Sequence, residues 1–163
     1  MDNKLSEHLT LGEMTRSNTA KRLGIDNSPT EVHYANMRML AEKIFEPIRE
    51  HFGVPIYISS GYRSKNLNRA IGGSQTSAHC HGLAIDIDMD DRGSSVTNRQ
   101  IFDWVKDNLS VDQLIAEYPS NGKPAWVHVG INLDYPNRNE ILVAKKIKGK
   151  TVYSKYESEK DLN

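Results

Sequence analysis

The chain has 163 residues, 21 basic and 21 acidic side chains, and a single cysteine. That length can bury a core in one domain without cross-links, and one cysteine excludes an internal disulfide, so the fold makes no demand for an oxidising compartment. Balanced charge without long runs of either sign argues against a nucleic-acid or anionic-membrane partner, and no apolar segment approaches bilayer-spanning length.

The opening MDNKLSEHLTLGEM lacks the apolar core of a signal peptide, so synthesis in the cytosol as a monomer is expected, without membrane insertion. Apolar residues at Met37, Leu40, Ala41, Ile44, Phe45 and Ile48 recur on one helical face. They predict a long core helix over 31–52, kinked or broken near Pro47 and ended by Gly53. VPIYISSGYRS then reads as a short strand closed by Gly61, after which Ser64 caps a short helix through Ala70.

A Gly72-Gly73-Ser74 turn leads into SAHCHGLAIDID at 77–88. Alternation there puts Ala84, Asp86 and Asp88 on one strand face and Ile85, Ile87 and Met89 on the other. A helix entered near Thr97 carries Ile101, Phe102, Trp104 and Val105, and strands follow at 113–118 (QLIAEY) and 126–131 (WVHVGI), joined by PSNGKP.

The last segment predicts a hairpin turning at Lys148-Gly149, with Lys145, Lys146, Lys148 and Lys150 on a solvated face, and a polar tail ESEKDLN that frays. The expected fold is a single α+β domain over 1–163, an antiparallel sheet flanked by helices, with 132–163 forming the C-terminal hairpin and tail.

Asp86 between two isoleucines and His128 between two valines each sit opposite an apolar face. Burying an ionised carboxylate without a partner costs roughly several kcal/mol. An Asp–His hydrogen bond, or exposure on a wet sheet face, would satisfy these residues one at a time.

Taken together with His79 they offer more, because Gly82 permits a tight turn that brings a loop histidine back to the strand. Two histidines and one carboxylate leave a zinc ion an open fourth position, the catalytic rather than the structural arrangement. The same donors admit iron or manganese, although zinc is the better match.

These residues resemble the zinc D-alanyl-D-alanine carboxypeptidase family of cell-wall metallopeptidases, which includes phage endolysins and vancomycin-resistance dipeptidases and shares its fold with the amino-terminal domain of hedgehog proteins. The signature Ser-x-His, two residues, Gly-x-Ala-x-Asp reads Ser77, His79, Gly82, Ala84, Asp86. SGYRS at 60–64 and Trp126-x-His128 agree with it, and the likeness runs over 11–131.

The resemblance implies one zinc ion per chain on His79, Asp86 and His128. It makes Arg63 a cation for the scissile carbonyl or a substrate carboxylate, and puts Ser77 and Tyr118 on the substrate side. Several relatives carry an acid three residues before the last histidine, where this chain has Ala125; Glu117 is then the candidate general base. Trp126 lines the cleft or packs in the core, Asp88 orients a ligand from behind, and His81 and Cys80 are bystanders.

The implied activity is zinc-dependent hydrolysis of a bond in the bacterial peptidoglycan stem peptide, by a phage-type endolysin acting after release or by a D-Ala-D-Ala carboxypeptidase. The alternative is a catalytically silent, metal-stabilised module that binds wall peptide or a protein partner.

Overall fold

A computed structural model describes residues 2–163. Two short helices, α1 (Leu11–Thr15) and α2 (Asn18–Leu23), lead into a helical rod made of α3 (Glu31–Leu40), a wide π turn (Ala41–Phe45) and α4 (Glu46–Phe52). Thr30 caps the start by accepting from the His33 amide, and Gly53 ends the rod in a left-handed conformation, its N–H donating to the Arg49 carbonyl.

Pro47 does not break the rod. A proline ring clashes with the carbonyl four residues earlier and supplies no N–H, and the π turn opens the backbone just ahead of Pro47. The helix therefore continues to Phe52.

Strands β1 (Ile58–Ser60), β2 (Ala84–Ile87), β3 (Gln113–Glu117), β4 (Trp126–Gly130), β5 (Glu140–Ile147) and β6 (Lys150–Lys155) form one sheet in the order β1-β2-β4-β3-β5-β6. Between β1 and β2 lies α5 (Lys65–Ala70), capped by Ser64, and between β2 and β3 lies α6 (Asn98–Asn108), entered through a Thr97 capping box.

The sheet is mixed rather than wholly antiparallel, since β5 pairs with β3 in parallel while the other pairs are antiparallel. β4 already has β2 and β3 on its two edges, so β5 cannot pair with it and joins beyond β3. A loop that reverses the chain after β4 and skips one strand necessarily arrives running the same way as β3.

One face of the sheet is the core face. Ile85, Ile87, Leu114, Ala116, Val127, Val129 and Val143 are fully buried, in one cluster with Leu40, Ile44 and Ile48 of the rod and with Ile101, Phe102 and Val105 of α6. Each large aliphatic buried there contributes about 1.5–3 kcal/mol. The period of two then forces Asp86 and His128, which face each other across β2 and β4, onto the opposite side.

The tail does not fray. Ser158 and Asp161 cap a final 3-10 turn, Glu159–Leu162, that inserts Leu162 fully buried into the core, while the Leu162 carbonyl accepts from the Gly122 amide. One leucine in a polar segment supplies the apolar area that anchors it.

Candidate metal centre

A short 3-10 turn, Ala78–His81, brings His79 against Asp86 of β2. Gly82 closes it at φ 70°, and a Cβ there would stand 2.8 Å from the His33 carbonyl oxygen and from Met37 Cγ. Glycine thus serves two needs at this position: left-handed backbone and contact with the rod.

His79 Nε2 lies 3.2 Å from Asp86 Oδ1 and 3.2 Å from His128 Nδ1, and the latter two atoms are 2.9 Å apart. Tetrahedral zinc with bonds of about 2.0–2.1 Å separates neighbouring donors by about 3.3 Å, so this triangle has the size of one face of a zinc site. These residues are 1–9% exposed.

Hydrogen bonding alone accounts poorly for the triangle. His79 Nδ1 is 2.7 Å from the Gly61 carbonyl oxygen, an acceptor, so Nδ1 carries the proton and a neutral His79 turns its Nε2 lone pair toward Asp86 and His128. A single proton on His128 Nδ1 cannot bridge both remaining acceptors. A cation at the centre satisfies all three.

The electrostatics agree with that donor set. Burial pushes the His79 imidazole below its ordinary pKa, outweighing the carboxylate of Asp86. Burial acts to raise Asp86, but the two imidazoles beside it, His79 and His128, hold it well below the usual carboxylate range. Neutral imidazole and ionised carboxylate are the forms a metal binds.

Glu117 opposes Trp126, two positions along β3 from Ile115, which opposes His128. It therefore shares the site face, on the diagonal to His128, where Cα separations run about 7–8 Å. Glu117 is 8% exposed, and burial together with the Asp86 charge pushes its carboxyl up to about 7 despite the opposing pull of His128 and Arg63.

Arg63 is tied by its backbone N–H to the His79 carbonyl. Among the described residues its buried Nε finds no acceptor, and the side chain lines a polar cavity of about 270 Å³ shared with Arg16, Ser59 and Ser60.

Residues 7–129 match the family model for Peptidase M15. The chain belongs to the M15 peptidase family. No curated protein matches it. Membership makes it a metallopeptidase of the zinc D-Ala-D-Ala carboxypeptidase-like kind.

Within this M15 chain the remaining site candidates separate. Ser77 immediately precedes the turn that bears His79, and Tyr118, at φ 45°, packs its ring 5.3 Å from that of Trp126 and places its hydroxyl 2.6 Å from Thr151 Oγ1. Ala125 is exposed. His81 is exposed with its ring edge-on to His33, and Cys80 is buried.

Asp88 does not orient a ligand. Asp88 N–H still donates to the Tyr57 carbonyl in register with β1, the next amide, Met89 N–H, turns to Asn98 Oδ1, and the Asp88 carboxylate accepts from Asn98 and pairs with Arg92 instead. The group that orients His79 is the Gly61 carbonyl, which side-chain chemistry in the sequence could not reveal; the SGYRS segment was its only trace.

A Cβ at Gly61 would stand 2.4 Å from the Met14 carbonyl oxygen and 2.8 Å from Met14 Cα, so any side chain must move the segment that holds His79. Gly61→Ala is expected to weaken zinc binding about 10–100-fold, as other losses of a ligand's outer hydrogen-bond partner do. Titration against a chromophoric chelator measures it.

Glu117 also leaves a mark on metal-free stability. Its folded-state pKa lies above the ordinary 4.5, so its contribution is fully present below pH 4.5 and is lost as pH rises through about 7. At about 1.4 kcal/mol per unit the loss is about 3 kcal/mol at most. In metal-free protein, Glu117→Gln should therefore gain stability over wild type between pH 4 and pH 8, read from urea midpoints.

Proposed function

We propose that the chain is a zinc peptidase that hydrolyses a peptide bond in the bacterial peptidoglycan stem, as a phage-type endolysin or a D-Ala-D-Ala carboxypeptidase. The observation that carries this is a buried His79-Asp86-His128 triangle with a buried carboxylate, Glu117, beside it on the same sheet face. A zinc ion on the triangle supplies the Lewis acidity that polarises the scissile carbonyl and acidifies water toward neutral pH.

The protein's own groups do the rest. Glu117 takes the proton of the attacking water at a carboxylate oxygen and passes it to the leaving amine, a task suited to an acid whose pKa lies near the working pH. Without metal its pKa is about 7; with a dication held by His79, Asp86 and His128, Glu117 would be ionised and able to act as the base. The Arg63 guanidinium donates to the carbonyl oxygen as it gains charge, or to a substrate carboxylate, in paired charge-assisted bonds. Ser77 and Tyr118 flank the substrate.

Digestion of purified peptidoglycan followed by mass spectrometry tests the proposal. Free D-alanine identifies a carboxypeptidase, and stem peptides or opened cross-links identify an endopeptidase. Wild-type protein that holds zinc yet releases neither overturns the proposal and leaves the silent binding module.

A further inference from the structure

Beyond residue 129, where the family match ends, the chain adds β5 and β6 to the sheet. Their register extends the site face outward: Glu117 opposes Ala144, and Ala144 opposes Tyr153. The three side chains stand in one row on one side of the sheet.

Ala144, the middle member, is fully buried and carries only a Cβ, so no longer side chain of β5 stands between the carboxylate and the phenol. With strands about 4.8 Å apart, the Tyr153 Cα lies about 10 Å from that of Glu117, a span that a tyrosine ring closes to the dimensions of an extended peptide.

The hairpin is fixed in place rather than free. Thr151, two residues before Tyr153, meets the hydroxyl of Tyr118, which directly follows Glu117, and Lys145 donates to the Asn163 carbonyl. Tyr153 itself is 55% exposed. Burial first, and then the neighbouring carboxylates of Glu117 and Asp86, push the phenol above its ordinary pKa, so it is protonated and able to donate.

We propose that Tyr153 is a substrate-binding residue supplied from outside the family-matched segment: it walls the cleft on the Glu117 side, its ring lying against the bound peptide and its hydroxyl donating to a peptide carbonyl oxygen. This rests on the peptidase reading. It assigns the C-terminal hairpin a part in substrate selection.

The test compares zinc-loaded wild type, Tyr153→Phe, Tyr153→Ala and, as a control on the other face of β6, Val152→Ala, in steady-state hydrolysis of a purified stem peptide. Melting temperature and zinc content serve as checks on folding. Tyr153→Ala should raise KM about tenfold or more with kcat nearly unchanged. Tyr153→Phe should fall between it and wild type, and Val152→Ala should match wild type.

A KM for Tyr153→Ala within about twofold of wild type, or a loss confined to kcat, overturns the inference while the peptidase reading stands. Failure of the wild type to hydrolyse any stem peptide overturns both.

Discussion

Replacing Glu117 with glutamine is expected to lower kcat about 10²–10⁴-fold, the usual contribution of a positioned general acid–base. The variant keeps shape and hydrogen-bonding reach but has no carboxylate to carry a proton. Glu117 is not one of the three triangle residues, so zinc content should stay at one per chain, and substrate affinity should change little. The measurement is kcat on peptidoglycan or a stem peptide beside elemental analysis of the same preparation. Retained activity with retained zinc would remove Glu117 from the mechanism. Activity lost together with zinc would make it a structural support for the metal.

Asp86→Asn tests the centre itself. The amide is nearly isosteric with the carboxylate, but it is neutral, and its NH₂ would donate to the lone pairs that His79 Nε2 and His128 Nδ1 turn inward. That stabilises the metal-free triangle and removes the anionic ligand. Zinc affinity should fall by more than the roughly 10–100-fold typical of outer-sphere changes, and hydrolysis should fall to background.

Stability offers a second readout. At a free zinc concentration about 1,000 times Kd, binding adds about 4 kcal/mol, and in a domain of this size each kcal/mol raises Tm by about 2–4 °C, so zinc should raise the wild-type Tm by roughly 8–16 °C. Asp86→Asn should melt nearly alike with and without zinc. An undiminished zinc-dependent rise in the variant would exclude Asp86 as a ligand.

Much of this architecture is legible in local pattern. The 3.6-residue period of Met37, Leu40, Ile44 and Ile48, the caps at Thr30, Ser64 and Thr97, and the period of two in 84–87 and 126–130 depend on near neighbours, and the structure follows them. That same period of two puts Asp86 and His128 on one face, which is why a group that could hold a metal was legible in the sequence. Asp88 was misread because alternation says nothing of partners brought from another element: Asn98 of α6 and Arg92 take up its carboxylate.

What local pattern cannot encode is pairing between distant segments and the burial that results. The parallel union of β3 and β5, the anchoring of Leu162, the Gly61 carbonyl behind His79 and the row from Glu117 to Tyr153 each join residues far apart in the chain. The protonation of Glu117 is of the same kind, being set by burial and by the charge of Asp86 on another strand. By itself the sequence determined the α+β class, the positions of the strands and longer helices, and a histidine-aspartate-histidine group that could hold a metal, because these follow from side-chain type and short-range spacing. Only the tertiary structure decided the size of the triangle, the raised pKa of its neighbouring acid and the hairpin that flanks it, because distance and desolvation are properties of the packed whole.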